Sequence, residues 1–208
     1  MTLVIVDGPD RVGKTLLCEE LVNQARAAKT YIKMKHHTRT VIEEVWRDFQ
    51  TVIKYPNAMH IWDRRWPSEI VYSHVQQTLP TITVEDARMF ESVVLEQIGD
   101  TQPVVGLIYS RKWETLTQEG REDIWKDWRY KVLHIGGARE YYNALNDCYV
   151  RYSEHSQLFD TLYIGESDHI QDSKDAASMI LSMLPKPPEL SVSERLTIAF
   201  AKSVSGKL

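Results

Sequence analysis

Gly8-Pro9-Asp10-Arg11-Val12-Gly13-Lys14-Thr15 matches G-x-x-x-x-G-K-[ST], the pattern of a loop that cradles phosphate groups. Its flanks agree with that reading. Leu3 to Val6 is an apolar, β-branched run that predicts a buried strand. Thr15 to Val22 carries apolar residues at helical spacing. The residue types follow from the chemistry. Gly8 and Gly13 let the backbone curl so that successive N–H groups face phosphate oxygens. A helix starting near Lys14 adds the positive end of its dipole. Lys14 can reach the β- and γ-phosphates, and the Thr15 hydroxyl can ligand Mg²⁺. Gly8, Asp10, Arg11, Val12, Gly13, Lys14 and Thr15 are therefore the candidate ATP-binding residues, with ATP and Mg²⁺ the expected cofactors.

Beyond the loop, strands and helices alternate. Tyr31 to Met34 predicts a second strand, and Val41 to Ile53 a helix with Val45, Trp46, Phe49 and Val52 on one side. Ala58 to Trp62 predicts a third strand that ends at Asp63. Pro67 suits the first turn of the next helix, which runs to about Gln77. A helix at about 83–98 and a strand at Val104 to Tyr109 follow. Residues 110–137 are charged and aromatic without a clean period. A helix at Ala138 to His155, a strand at Leu162 to Ile164 and a helix at Asp172 to Leu184 complete the pattern. Such alternation predicts an α/β fold with a parallel sheet and right-handed crossovers. The nucleotide then belongs at the carboxyl ends of the strands, where both Gly8–Thr15 and Asp63-Arg64 fall. Pro185-Lys186-Pro187-Pro188 breaks the chain. This sets a main domain at 1–184 apart from a tail at 185–208, in which Ser191 to Ser203 could form a short amphipathic helix.

The 208 residues suit one α/β domain. A formal net charge of -4 argues against a general nucleic-acid coat, while leaving room for a local basic cleft. Cys18 and Cys148 have no metal-type spacing, and no zinc arrangement emerges from the histidines. No stretch near Met1 reads as a signal peptide, and no segment is long enough to span a membrane, so a cytoplasmic setting is the default expectation.

A second constellation follows the third strand: Asp63-Arg64-Arg65-Trp66-Pro67-Ser68-Glu69-Ile70-Val71-Tyr72. A carboxylate there faces the phosphate loop, where it can orient Mg²⁺ or take a proton from an attacking hydroxyl. An adjacent arginine can clamp a substrate phosphate through two parallel hydrogen bonds. With these residues the chain resembles the thymidylate kinase and deoxynucleoside kinase superfamily. Thymidylate kinases carry D-R-[YFH]-x-x-S-x-x-[AV]-[YF] after the third strand. Asp63, Arg64, Ser68, Val71 and Tyr72 fit it, and Arg65 departs from it. Asp7, Gly8 and Asp10 fit the family's first-strand ending.

The resemblance implies a three-layer P-loop kinase fold around a five-stranded parallel sheet ordered 2-3-1-4-5, with a lid at about 110–139. It also implies roles for residues. Lys14, Arg11, Asp63 and Arg64 would be catalytic, and Thr15 and Asp63 would hold the metal. Asp10 would contact the sugar of the acceptor, Arg64 and Arg39 would clamp its phosphate, and Tyr72 would belong to the same site. Trp46-Arg47-Asp48-Phe49 would be a compressed base-recognition segment, with Trp46, Arg47 and Phe49 contacting the base. Trp46 and Phe49 read equally as core residues of an amphipathic helix. Arg111, Arg121, Arg129 and Arg139 are candidate lid arginines, among which the sequence does not choose. The resemblance allows a homodimer through helices around 67–98.

The function expected is ATP-dependent phosphorylation of a deoxynucleoside monophosphate, with dTMP the first choice. A deoxynucleoside kinase, a kinase acting on a modified base or an end within DNA, and a nucleotide-hydrolysing switch or interaction protein stay open beside it.

Overall fold

The structure, a computed structural model, describes residues 2–28, 30–38, 40–100, 102–132, 134–163 and 169–184. The expected tail helix and Arg39 lie outside the described residues. Five strands, β1 (Thr2–Asp7), β2 (Ile32–His36), β3 (Met59–Asp63), β4 (Val104–Ser110) and β5 (Phe159–Tyr163), form one sheet ordered β2-β3-β1-β4-β5, every pair parallel. β1 and β3 are buried along their whole length, as central strands covered on both faces require. β2 lies at an edge, where Met34, Lys35 and His36 are exposed.

Among the described residues seven α-helices flank the sheet: α1 (Lys14–Ala27), α2 (Ile42–Lys54), α3 (Trp66–Gln76), α4 (Val84–Val93), α5 (Gln118–Lys131), α6 (Ala138–His155) and α7 (His169–Met183), the last following β5. α1 packs on α7, while α3 and α5 pack on α6. Thr83 opens α4 with a reciprocal capping box to Asp86. The last turn of the expected 83–98 helix is wound as a π-helix, Val94–Ile98. Within the core, Phe49, Trp62, Trp66, Phe90 and Phe159 meet at ring-centroid distances of 5.3 to 6.2 Å, mostly tilted or edge to face.

Three expectations change. Trp46 and Phe49 belong to this aromatic cluster, with Trp46 edge-on to Phe49 and Phe90. Phe49 is buried, so it has no free face on which a base could stack. β5 begins at Phe159 rather than Leu162. Asp160 and Thr161 interrupt its apolar run because β5 is the other edge of the sheet, while the Phe159 ring packs on Trp66. Residues 110–137 hold a regular helix, α5, started by Thr117, whose side chain accepts from the Gly120 N–H at 3.1 Å. Its period is hard to see because charged residues cover two of its sides, one of them lining the site described next.

Candidate active site

The loop after β1 has the backbone its glycines permit. Gly8 sits at φ 138°, and a Cβ there would lie 2.3 Å from the Tyr109 carbonyl oxygen. Gly13, at φ 101°, precedes the first turn of α1. Val12 is buried in the core and holds the loop down on the sheet. Lys14 Nζ donates to the carbonyl oxygens of Gly8 at 2.8 Å and Pro9 at 2.5 Å, so the ammonium curls back over the loop. Burial pushes its pKa down, and the carboxylates of Asp7 and Asp63 act against that shift.

Asp7 ties the loop to the segment after β3. Oδ1 accepts from the Gly8 N–H at 2.7 Å, Ser68 Oγ at 2.6 Å and Tyr149 OH at 3.1 Å. Oδ2 accepts from the Arg65 N–H at 2.8 Å and the Ser68 N–H at 3.3 Å. Burial raises the Asp7 pKa, and hydrogen bonds from Ser68 and Arg65 partly offset the rise. Five donors on one carboxylate fix where the start of α3 stands relative to the phosphate loop.

Asp63, at the carboxyl end of β3, accepts from Thr15 Oγ1 at 3.2 Å on Oδ2, and His36 Nδ1 lies 2.7 Å from the same oxygen. Asp63 Oδ1 is buried and has no hydrogen-bond partner among the described residues. A hydroxyl and a carboxylate side by side, with one carboxylate oxygen uncommitted, are hard oxygen donors that fit Mg²⁺.

Arg64 follows at φ 70°, a backbone region that non-glycine residues seldom adopt, and its N–H donates to the Val6 carbonyl at 2.8 Å. Its guanidinium pairs with Asp10. Tyr72 OH donates to Asp10 Oδ2 at 2.8 Å and accepts from the Asp10 N–H at 3.1 Å. Burial raises the Tyr72 pKa far above the usual phenol range, so the hydroxyl is a neutral donor.

A cavity of about 690 Å³ runs between this loop and α5. Asp10, Arg11, Lys14, Thr15 and Arg64 line one side. Glu119, Asp123 and Asp127, spaced by four and so on one face of α5, line the other with Lys126. The structure thus brings Asp10, Arg11, Gly13, Lys14, Thr15 and Arg64 around one space. Asp63 joins them through Thr15, and Tyr72 through Asp10.

Trp46, Arg47 and Phe49, the expected base contacts, do not line this cavity. They sit on α2, whose inner face is spent on the aromatic cluster, and Arg47 is exposed. The four candidate lid arginines are also committed elsewhere. Arg111 is buried against Asp172 at 2.6 Å, and Arg121 donates to the Leu116 carbonyl. Arg129 stacks over Trp125, and Arg139 pairs with Glu114. Arg11 is the arginine that the loop itself presents to the cavity.

Sequence reasoning missed three features. His36 stands beside Asp63, and Asp123 faces Arg11. Arg65, the departure from the family pattern, is fully buried, stacks 4.2 Å over the Trp62 ring and pairs with Asp48 of α2. Burial lowers the Arg65 pKa to about 10, with the Asp48 carboxylate pulling the other way. Lys35 and His37 also face Asp48, His37 Nε2 at 3.3 Å. A doubled arginine after an apolar strand was the available signal for a second, inward-facing cation.

Solved structures share this fold, and two of them are similar over most of this chain. The YorR protein of Bacillus subtilis, solved in complex with phosphorylated GDP, is 16% identical, with a TM-score of 0.53 over 86% of this chain and 95% of that one. Polyphosphate kinase 2 of Arthrobacter aurescens TC1 is 13% identical, with a TM-score of 0.51 over 96% of this chain and 75% of that one. The chain therefore has the fold of P-loop kinases, with the expected strand order. No family model matches the chain, and no curated protein matches it.

Proposed function

We propose that the chain is a nucleotide kinase that transfers the terminal phosphoryl group of ATP to a deoxynucleoside monophosphate, with dTMP the first choice. The observation that carries this reading is the shared cavity. A phosphate loop with Lys14 and Thr15 opens onto the same space as Arg64, Asp10 and, through Asp10, Tyr72. Phosphoryl transfer asks little covalent help from a protein. It asks for alignment of donor and acceptor and for cations around the moving group.

In this reading the loop N–H groups and Lys14 hold the triphosphate, Lys14 exchanging the Gly8 and Pro9 carbonyls for phosphate oxygens. Thr15 and Asp63 would hold Mg²⁺, which neutralises charge on the phosphates when bound. Arg11 stands where it can neutralise the transferred group. Arg64 exchanges Asp10 for the acceptor phosphate, which frees the Asp10 carboxylate for a sugar hydroxyl. On the donor side Arg11 and Lys14 belong to the loop wall of the cavity, and Lys126 stands among the three carboxylates of the α5 wall.

An assay of ADP release over the four deoxynucleoside monophosphates tests the proposal. Turnover of one or more of them is expected. ATP binding without turnover of any would overturn it. An oligonucleotide and free deoxynucleosides run beside them separate the neighbouring kinase readings.

A further inference from the structure

The loop arginine does not stand free over the phosphate cradle. Arg11 Nη2 lies 2.5 Å from Asp123 Oδ2 of α5, and Asp123 Oδ1 accepts from Lys126 Nζ at 3.0 Å. One turn earlier on the helix, Gly120 approaches the stem of the same arginine, so closely that a Cβ there would lie 3.2 Å from Arg11 Cβ. Arg11 itself holds a left-handed backbone, φ 66°, which its surroundings must maintain. Head, stem and backbone are thus all engaged, and two of the three contacts come from α5.

A guanidinium fork that binds a carboxylate presents the same N–H groups that would bind a phosphate. The pair sits in the wall of the cavity that holds Lys14 and Thr15. Asp123 and a triphosphate therefore compete for one cation. The Asp10–Arg64 pair differs in one respect. Asp10 belongs to the phosphate loop itself, whereas Asp123 belongs to a separate helix, so exchange of its partner loosens α5 from the loop.

We propose that Asp123 is a positioning residue that acts through Arg11. In the free protein it occupies the phosphate-binding face of Arg11 and clamps α5 over the loop. Triphosphate binding takes the arginine from it and releases the helix. This inference rests on the proposed triphosphate site.

With Arg11 half exposed, at 52%, the exchange is worth a modest factor, about 1.5 to 5 in an equilibrium constant. The test is the dissociation constant of a non-hydrolysable ATP analogue, measured by calorimetry at low salt. It compares wild type, Asp123→Asn, Arg11→Ala and the double variant, with Glu119→Gln as a charge control on the same wall. Asp123→Asn should tighten binding about threefold, the middle of that range. It should have no effect in the Arg11→Ala background, and Glu119→Gln should change binding less.

An equal gain in both backgrounds would mean that only the charge of the wall matters, and a loss would mean that Asp123 supports the bound state. Either overturns the inference while leaving the triphosphate site standing. No binding to the wild type overturns both. A second readout needs no ligand. Amide exchange over residues 118–131 should quicken in Asp123→Asn and in Arg11→Ala, with no further gain in the double variant. Unchanged exchange in the single variants also overturns the clamp.

Discussion

In the proposed reaction, single side chains divide the site between donor and acceptor. Lys14→Ala removes the ammonium that would follow the triphosphate. Turnover should fall by at least about a hundredfold, the scale on which loss of one preorganised cation or donor is felt. The thermal midpoint should also fall, because Lys14 is buried and its ammonium offsets the charge of the buried Asp7 and Asp63 carboxylates. Steady-state kinetics beside a melting curve check both halves. Arg64→Ala should raise the KM of the acceptor much more than that of ATP, since Arg64 sits beside Asp10 and Tyr72. Equal losses for both substrates would remove its assigned role. Asp48 belongs to stability instead. Asp48→Ala would leave the fully buried Arg65 without its carboxylate, a change that costs about 3–5 kcal/mol. Urea unfolding measures it. The loop and the Asp63-Arg64 pair were legible because their chemistry demands particular residues at particular spacings. Asp48 and Arg65 were not, because seventeen positions of chain separate partners that only folding brings together.

Among the elements, α5 is the one that the sequence left unread and that the site depends on. Its start rests on Thr117, whose side chain accepts from Gly120. Thr117→Ala should weaken the first turn by about 1 kcal/mol. Local opening would then show as faster amide exchange in residues 118–131, with the exchange of β1 unchanged. The strands of the sheet centre were easy to recognise. β1 is an unbroken apolar run from Leu3 to Val6, and β3 is apolar from Met59 to Trp62 except for the buried His60, because helices cover both faces. The edge strands were harder. β2 runs through Lys33 and Lys35, and β5 through Asp160 and Thr161, since water replaces a neighbour on one side. On α2 the pattern was read correctly as amphipathic, and the alternative reading of Trp46 and Phe49 as core residues holds. Phe90 and Trp66, from two other helices, pack against their rings.

For the molecule as a whole, two buried carboxylates with pKa values shifted in opposite directions make opposing contributions to acid stability. Burial alone would raise Asp48, but hydrogen bonding to His37 and the charges of Arg65 and Lys35 outweigh it, and its pKa falls well below the usual 3.8. Its stabilisation is present above that ordinary value and is lost as the pH falls toward the folded one. Asp7 is raised by burial, so its contribution runs the other way, present at low pH and lost as the pH rises through its folded value. Between about pH 4 and about pH 2.5 Asp48→Asn should therefore lose less of its urea midpoint than the wild type, since the opposing Asp7 contribution is common to both. A steeper fall in the variant would contradict the assigned sign. The α/β alternation, the phosphate loop and the acid-arginine pair at the end of β3 followed from the sequence alone, because local periodicity and short motifs carry them, while the strand order came with the family resemblance. The tertiary structure alone decided that Arg65 turns inward, that Asp7 joins loop to helix, and that α5 lays Asp123 on Arg11. Each of these contacts joins residues far apart in the chain, and no local spacing encodes which charges a fold will place face to face.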